Sequence, residues 1–206
     1  MKLRLALLLS GALSVFPASA ADYPIKTVRM VVPFAAGGST DLLARNINLF
    51  RAMAHSPDGA RAFSGLGQFI RFKSRLDPRL REMAILQVGY LTRSVYEYTH
   101  HIKIGRDFGV SDEDLRAIAA ESAGRPTSLD ALTRAVLRAA REMTQGLAAT
   151  EATFEALRQG LDHERLTDLV LVIAFYNAVV RFLATMQIDN EPEYQRLLAE
   201  FPLPAE

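Results

Sequence analysis

From Arg45 onward the apolar residues recur every three or four positions, and no run after Phe34 alternates as a strand would. That periodicity confines most of the chain to helices. Ile47, Leu49, Phe50 and Met53 mark a first helix over 46–54. Ser56-Pro57-Asp58 opens a second, with proline in its first turn, that runs to Phe72. Asp77-Pro78 opens a third, whose faces carry Leu80, Met83, Ala84, Leu86, Gln87, Tyr90 and Leu91. Ser94 opens a fourth, ending near Gly105. The acidic start at 111–114 suits the positive end of the next helix. Gly124-Arg125-Pro126 is a loop, and helices over 128–144, 150–159, 163–186 and 191–201 complete the set. The expected fold class is all-α, a helical bundle with one core.

The first 44 residues are of another style. Met1-Lys2-Leu3-Arg4 is a basic start, residues 5–16 are apolar, and Ala18-Ser19-Ala20 has small residues where a signal peptidase cuts. This order predicts a signal peptide over 1–20 and a periplasmic or secreted product; a start codon further downstream would instead leave the protein cytoplasmic. In 21–44 a β-branched run, 27–34, precedes the loop Ala35-Ala36-Gly37-Gly38-Ser39-Thr40-Asp41 and a helix start. Strand, glycine loop and helix N-terminus form an anion-binding geometry, although an ordinary βα turn has the same composition. The stretch from Tyr23 to Asp41 resembles the mature N-terminus of the tripartite tricarboxylate transporter substrate-binding (Bug) proteins. In that family the glycine loop helps to hold a carboxylate ligand. The resemblance covers only this leader, which has no sheet to join.

Composition removes whole classes of chemistry. The 206 residues contain no cysteine, which excludes disulfides, thiolate nucleophiles and cysteine metal sites. A net charge of +1 gives no sign of a nucleic-acid partner. The apolar stretch 169–183 is interrupted by Asn177 and Arg181 and falls short of the ~20 residues a bilayer requires, so it predicts a core helix, with no membrane span in the mature chain. There is no HExxH, P-loop or GxSxG motif.

The residues able to move protons concentrate in one place. Glu97 and His101 stand one helical turn apart on a shared face, and Glu82 lies one helix upstream. Glu97-x-x-His100 matches the i,i+3 glutamate–histidine element of di-iron bundles, but such sites need two of these elements and two further glutamates, and the sequence has one. Neither a metal nor a cofactor is therefore expected. His55 and His163 flank helix starts and read as surface or capping residues; Phe175 and Tyr176 read as packing.

Leu76-Asp77-Pro78-Arg79-Leu80-Arg81-Glu82-Met83-Ala84-Ile85-Leu86, then Tyr96-Glu97-Tyr98-Thr99-His100-His101, then Gly109-Val110-Ser111-Asp112-Glu113 resemble the carboxymuconolactone decarboxylase family. Phe175-Tyr176-Asn177 with Val180-Arg181-Phe182 resembles its C-terminal helix. The resemblance spans about 45–190, with 191–206 a terminal helix and tail. It implies an all-helical fold related to alkylhydroperoxidase, and a homo-oligomer such as a trimer or hexamer. The peroxidase branch carries a glutamate, two cysteines and a histidine. These align with Glu82, Ser94, Glu97 and His101, and a serine and a glutamate cannot attack or resolve a peroxide as thiols do.

The decarboxylase branch needs no thiol. The resemblance thus implies a carboxy-lyase acting on a small carboxylated lactone or oxo acid. His101 would be its acid–base group, Glu97 its orienting or relay partner, and Glu82 a second carboxylate. His100, Tyr96, Tyr98 and Ser94 would line the substrate site, with Arg79 or Arg81 attracting the substrate carboxylate. Against this stand three plainer readings. Glu97 and His101 can be an ordinary i,i+4 pair, worth ~0.2–0.5 kcal/mol. The chain can be a periplasmic carboxylate-binding protein without catalysis. It can also be an inactive oligomeric family member with a closed, dry site.

Overall fold

The structure, a computed structural model, describes residues 47–205. The stretches predicted as a signal peptide (1–20) and a receptor-like leader with its glycine loop (Gly37, Gly38, Ser39, Thr40) lie outside the described residues. Every element in the described part is helical: α1 Asn48–Met53, α2 Pro57–Phe72, α3 Pro78–Leu91, α4 Val95–Asp107, α5 Asp112–Ser122, α6 Ala131–Gln145, α7 Glu151–Arg158, α8 His163–Thr185, α9 Pro192–Gln195 and α10 Leu197–Glu200.

Local chemistry places the helix starts. Asp77, Ser94, Ser111, Asp130, Thr150 and Asp162 each accept a backbone N–H with the side chain just ahead of their helix, satisfying donors that the helix itself leaves orphaned. At α5 the arrangement is reciprocal: Ser111 accepts from the Asp114 N–H, and Asp114 accepts from the Ser111 N–H. Helix α6 begins at Ala131, a few residues later than the sequence pattern suggests, because Asp130 takes the cap. The predicted single helix over 191–201 is two one-turn helices that meet at Arg196.

Helix α3 is the axis of the bundle. It packs against α4, α5, α6 and α8, and every residue from Leu80 to Tyr90 is buried. Its faces divide the core. Leu80, Ala84, Ile85 and Val88 join α6 and α8 residues such as Val136, Leu169 and Ile173. Met83, Leu86 and Tyr90 join Tyr98, Ile102, Leu115, Ile118 and Phe201 on the other side. A helix enclosed on all sides has little amphipathic signature. Arg81 and Glu82 are therefore enclosed along with the apolar residues.

The hairpin of α3 and α4 brings the chemistry together. Its turn is short, with Arg93 in the left-handed region at φ 55° and the Ser94 N–H donating to the Gly89 carbonyl at 3.0 Å. Gly89 permits the close approach: a Cβ there would sit 3.1 Å from the backbone nitrogen of Tyr98. Helix α8 covers the hairpin. It is 23 residues, longer than the apolar stretch read from sequence, and its length and composition would also suit a membrane span. In this fold its inner face is core, from Leu166 to Leu183, and Asn177 is buried with its amide donating to Thr144 and to the Ile173 carbonyl.

Candidate active site

Four ionisable side chains meet where α3 crosses α4. His101 of α4 places Nδ1 2.6 Å from Glu82 Oε2 and Nε2 2.9 Å from Glu97 Oε1. Arg81 donates Nε–H to the other oxygen of Glu82 at 2.9 Å. Arg81 Nη1 donates to the Arg71 carbonyl at 3.1 Å, in the last turn of α2, where a cation is favourably placed. The Arg81 guanidinium lies over the Phe108 ring at 4.5 Å. All four residues are at most 5% exposed.

The imidazole has a carboxylate oxygen at each nitrogen. A neutral ring would aim one lone pair at a lone pair, so this geometry calls for the doubly protonated ring. Burial alone would lower the His101 pKa, but Glu82 and then Glu97 outweigh it and lift the group to about 9. Burial likewise pushes the Glu82 carboxyl up; His101 and Arg81 together pull it below its ordinary value. Arg81, Glu82, His101 and Glu97 thus form an alternating row of charges. The Nε2–Oε1 contact is an ion-pair approach and not a well-aligned hydrogen bond, leaving Glu97 Oε1 without a hydrogen-bond partner. Arg81 Nη2 is also buried without one. Buried polar atoms in this state are uncommon in folded proteins.

Glu97 reaches His101 by declining another task. Ser94-x-x-Glu97 is the spacing of a capping box, and the Ser94 hydroxyl does accept the Glu97 N–H, at 3.4 Å. The Ser94 N–H, however, is taken by Gly89. The Glu97 carboxylate is thereby released toward His101. Ser111-x-x-Asp114 completes its box, and Asp114 is further held by Arg79.

The structure separates the remaining candidates. Arg79 is bound to Asp114 and to the Thr133 hydroxyl, so the sequence reading of Arg79 as a substrate anchor finds it already committed to α5 and α6. Tyr98, read as a wall of the site, packs against Tyr90 in the second half of the core, 1% exposed. Ser94 is a helix cap. His100 and Tyr96 belong to a neighbouring cluster. His100 is stacked between Tyr96 at 4.1 Å and Tyr194 at 3.8 Å, Nδ1 donates to the Tyr96 carbonyl, and Nε2 lies 2.9 Å from Glu191 Oε2. Glu191 Oε1 accepts the Asn48 N–H at 2.7 Å, so this cluster ties α1 and the start of α9 to α4. Here burial outweighs Glu191 and holds the His100 pKa below its ordinary value.

One neighbour of the site escaped the sequence reading. Tyr176 of α8 meets the His101 ring edge-on at 5.0 Å. Burial drives its phenol pKa well up, and the Glu97 and Glu82 charges add to that. Phe175 meets Tyr176 at 5.4 Å and Phe63 of α2 at 4.8 Å. A file of rings therefore runs from His101 to a cavity of about 350 Å³ at α1, α2 and α8, lined by Met53, Gly59, Phe63, Phe182 and others. Among the described residues, no group of three or more histidine, cysteine, aspartate or glutamate side chains has the arrangement of a metal site.

The bundle is of the alkylhydroperoxidase type. It superposes on a peroxidase-related protein with an alkylhydroperoxidase AhpD core from Ralstonia eutropha JMP134 with a TM-score of 0.63, at 24% identity over 76% of this chain and 82% of that one. The debrominase Bmp8 in complex with 2,3,4-tribromopyrrole gives 0.66, at 19% identity over 75% of this chain and 81% of that one. A putative antioxidant defence protein AhpD from Agrobacterium tumefaciens gives 0.61, at 19% identity over 68% and 95%. No curated protein matches this sequence. Residues 57–142 match the carboxymuconolactone decarboxylase family. The matched segment contains Arg81, Glu82, Glu97 and His101.

Proposed function

We propose that this protein is a cofactor-free acid–base enzyme that decarboxylates a small carboxylated lactone or oxo acid. The observation that carries the reading is the buried imidazolium of His101, clamped between Glu82 and Glu97. Loss of carbon dioxide leaves the bonding electron pair on carbon, delocalised into the adjoining carbonyl. That carbon must then take a proton. A ring that stays protonated to about pH 9 is an acid ready for this step at neutral pH. Nε2 is the donor, because its contact with Glu97 is the less well aligned of the two. Glu97 then returns a proton from solvent to the ring.

Arg81 takes the role of anchor. Its Nη2 has donor capacity to spare, and a guanidinium suits a substrate carboxylate or the developing enolate oxygen. Glu82 fixes the ring from Nδ1 and keeps it charged. Tyr176 and the rings behind it give the site an apolar wall. A thiol peroxidase mechanism is unavailable to a chain without cysteine. The test is a panel of unsaturated lactone acids and β-oxo acids, following carbon dioxide release and deuterium uptake from D₂O at the former carboxyl carbon. Turnover with deuterium uptake supports the reading. Absence of carbon dioxide from the whole panel, with the protein folded, removes it. It would favour the inactive family member, a reading to which the deep burial of all four groups lends weight.

A further inference from the structure

At the C-terminal end of α5 a second constellation has no place in this chemistry. A cavity of about 490 Å³ is lined by Arg125, Arg134, Arg138 and Arg141, with Thr127 and a single carboxylate, Glu121. Arg134, Arg138 and Arg141 stand at i, i+4 and i+7, so α6 aligns three guanidiniums along one face. Like charges at that spacing oppose helix formation. The whole chain carries a net charge of +1, whereas these lining groups leave three positive charges in one place.

Their own hydrogen bonds go mainly to neutral acceptors. Arg134 donates to the Leu129 carbonyl at 2.7 Å, and Arg141 donates to Gln87 at 3.3 Å. Glu121 accepts from the Thr127 hydroxyl. Among the described residues, none of the four arginines has a carboxylate within ion-pair distance. Arg141 is half-buried, and burial lowers its pKa; Arg138 adds to this, while Glu121 and Glu142 oppose it. Guanidinium forks converging on a cavity match paired oxyanions, and the volume is that of a small-metabolite site.

We infer that this cavity is a binding site for a small polyanion bearing two or more phosphate or carboxylate groups. Occupation would add negative charge where the lining guanidiniums outnumber the carboxylate. The site is distinct from His101 and does not rest on the decarboxylase reading.

Isothermal titration with inorganic pyrophosphate and, separately, with citrate tests it and distinguishes the two oxyanion sources. Saturable binding of one or both is expected. Arg138 is exposed, so Arg138→Gln should leave the fold intact while weakening that binding at least about tenfold. His101→Gln should leave it unchanged. Four results would overturn the inference: no saturable heat from either probe, equal affinity in Arg138→Gln, equal competition by chloride at matched ionic strength, or a change in subunit number in Arg138→Gln. The last would mean that carboxylates of a second copy cover the cluster.

Discussion

His100 and His101 are neighbours on α4, both buried, each with a glutamate within 2.9 Å, yet they are driven in opposite directions. His101 has a carboxylate at each nitrogen and an arginine behind one of them, and it stays charged. His100 has a carbonyl at one nitrogen, one carboxylate at the other, and a tyrosine ring on each face. One carboxylate does not repay the loss of water; two do. A rotation of about 100° along a single helix thus separates the proposed acid from a structural clamp.

The largest expected effect tests that division directly. His101→Gln should lower decarboxylation by ~10²–10⁴-fold, the usual worth of a positioned acid, with helical circular dichroism retained. His100→Gln should leave turnover near that of the parent. Equal losses in both would erase the distinction.

Glu82→Gln sharpens it next. Removing one member of a buried ion pair typically costs ~3–5 kcal/mol, and here it also leaves Arg81 facing a neutral amide in place of a carboxylate. Urea denaturation measures the cost. In the same variant, NMR titration should find the His101 pKa falling from about 9 toward its ordinary value. Glu191→Gln should cost less, ~1–3 kcal/mol, because it removes one carboxylate contact from a ring that burial already disfavours as a cation.

The pH dependence of stability separates the two rings without a substrate. The folded pKa of His101 is raised, so its contribution is complete below the unfolded value of 6.5 and is lost as pH rises from there through about 9. The folded pKa of His100 is lowered, so the fold loses stability as pH drops below 6.5. Glu82, also lowered, stabilises above its unfolded 4.5 and ceases to do so as pH falls through its folded value. Urea midpoints between pH 4 and 10 should show an alkaline decline that His101→Gln abolishes. Part of the acid decline should disappear in His100→Gln.

The smallest effect concerns the two serine caps. Ser111→Ala should cost ~1–2 kcal/mol because it opens a reciprocal box whose acid also holds Arg79. Ser94→Ala should cost ~0.5 kcal/mol, since its 3.4 Å contact is the weaker cap. Thermal denaturation ranks them.

What could be read from the sequence was local. Helix starts followed from Asp77, Ser111 and Thr150, and the Glu97–His101 pair from a four-residue spacing. Glu82 stands out only as a carboxylate one helix upstream, and its role comes from the family resemblance, because its partner is 19 residues away on another helix. Glu191 lies 95 residues from the Tyr96 hydroxyl that it meets, and Tyr176 reaches His101 from α8, so neither left a periodic signal. Arg79 and Arg81 looked alike as helix-start cations. Only packing shows that one is spent on Asp114 while the other keeps a spare donor inside the bundle.

The missing side chain at Gly89 reaches further than its own turn. A methyl group there would press on the backbone of Tyr98, which cannot swing aside as a flexible side chain would, and the two helices would have to part. The 2.6 Å between Glu82 and His101 lies about two turns along α3 and would open with them. The contact that keeps His101 charged is therefore set by a single hydrogen atom at the hairpin's neck.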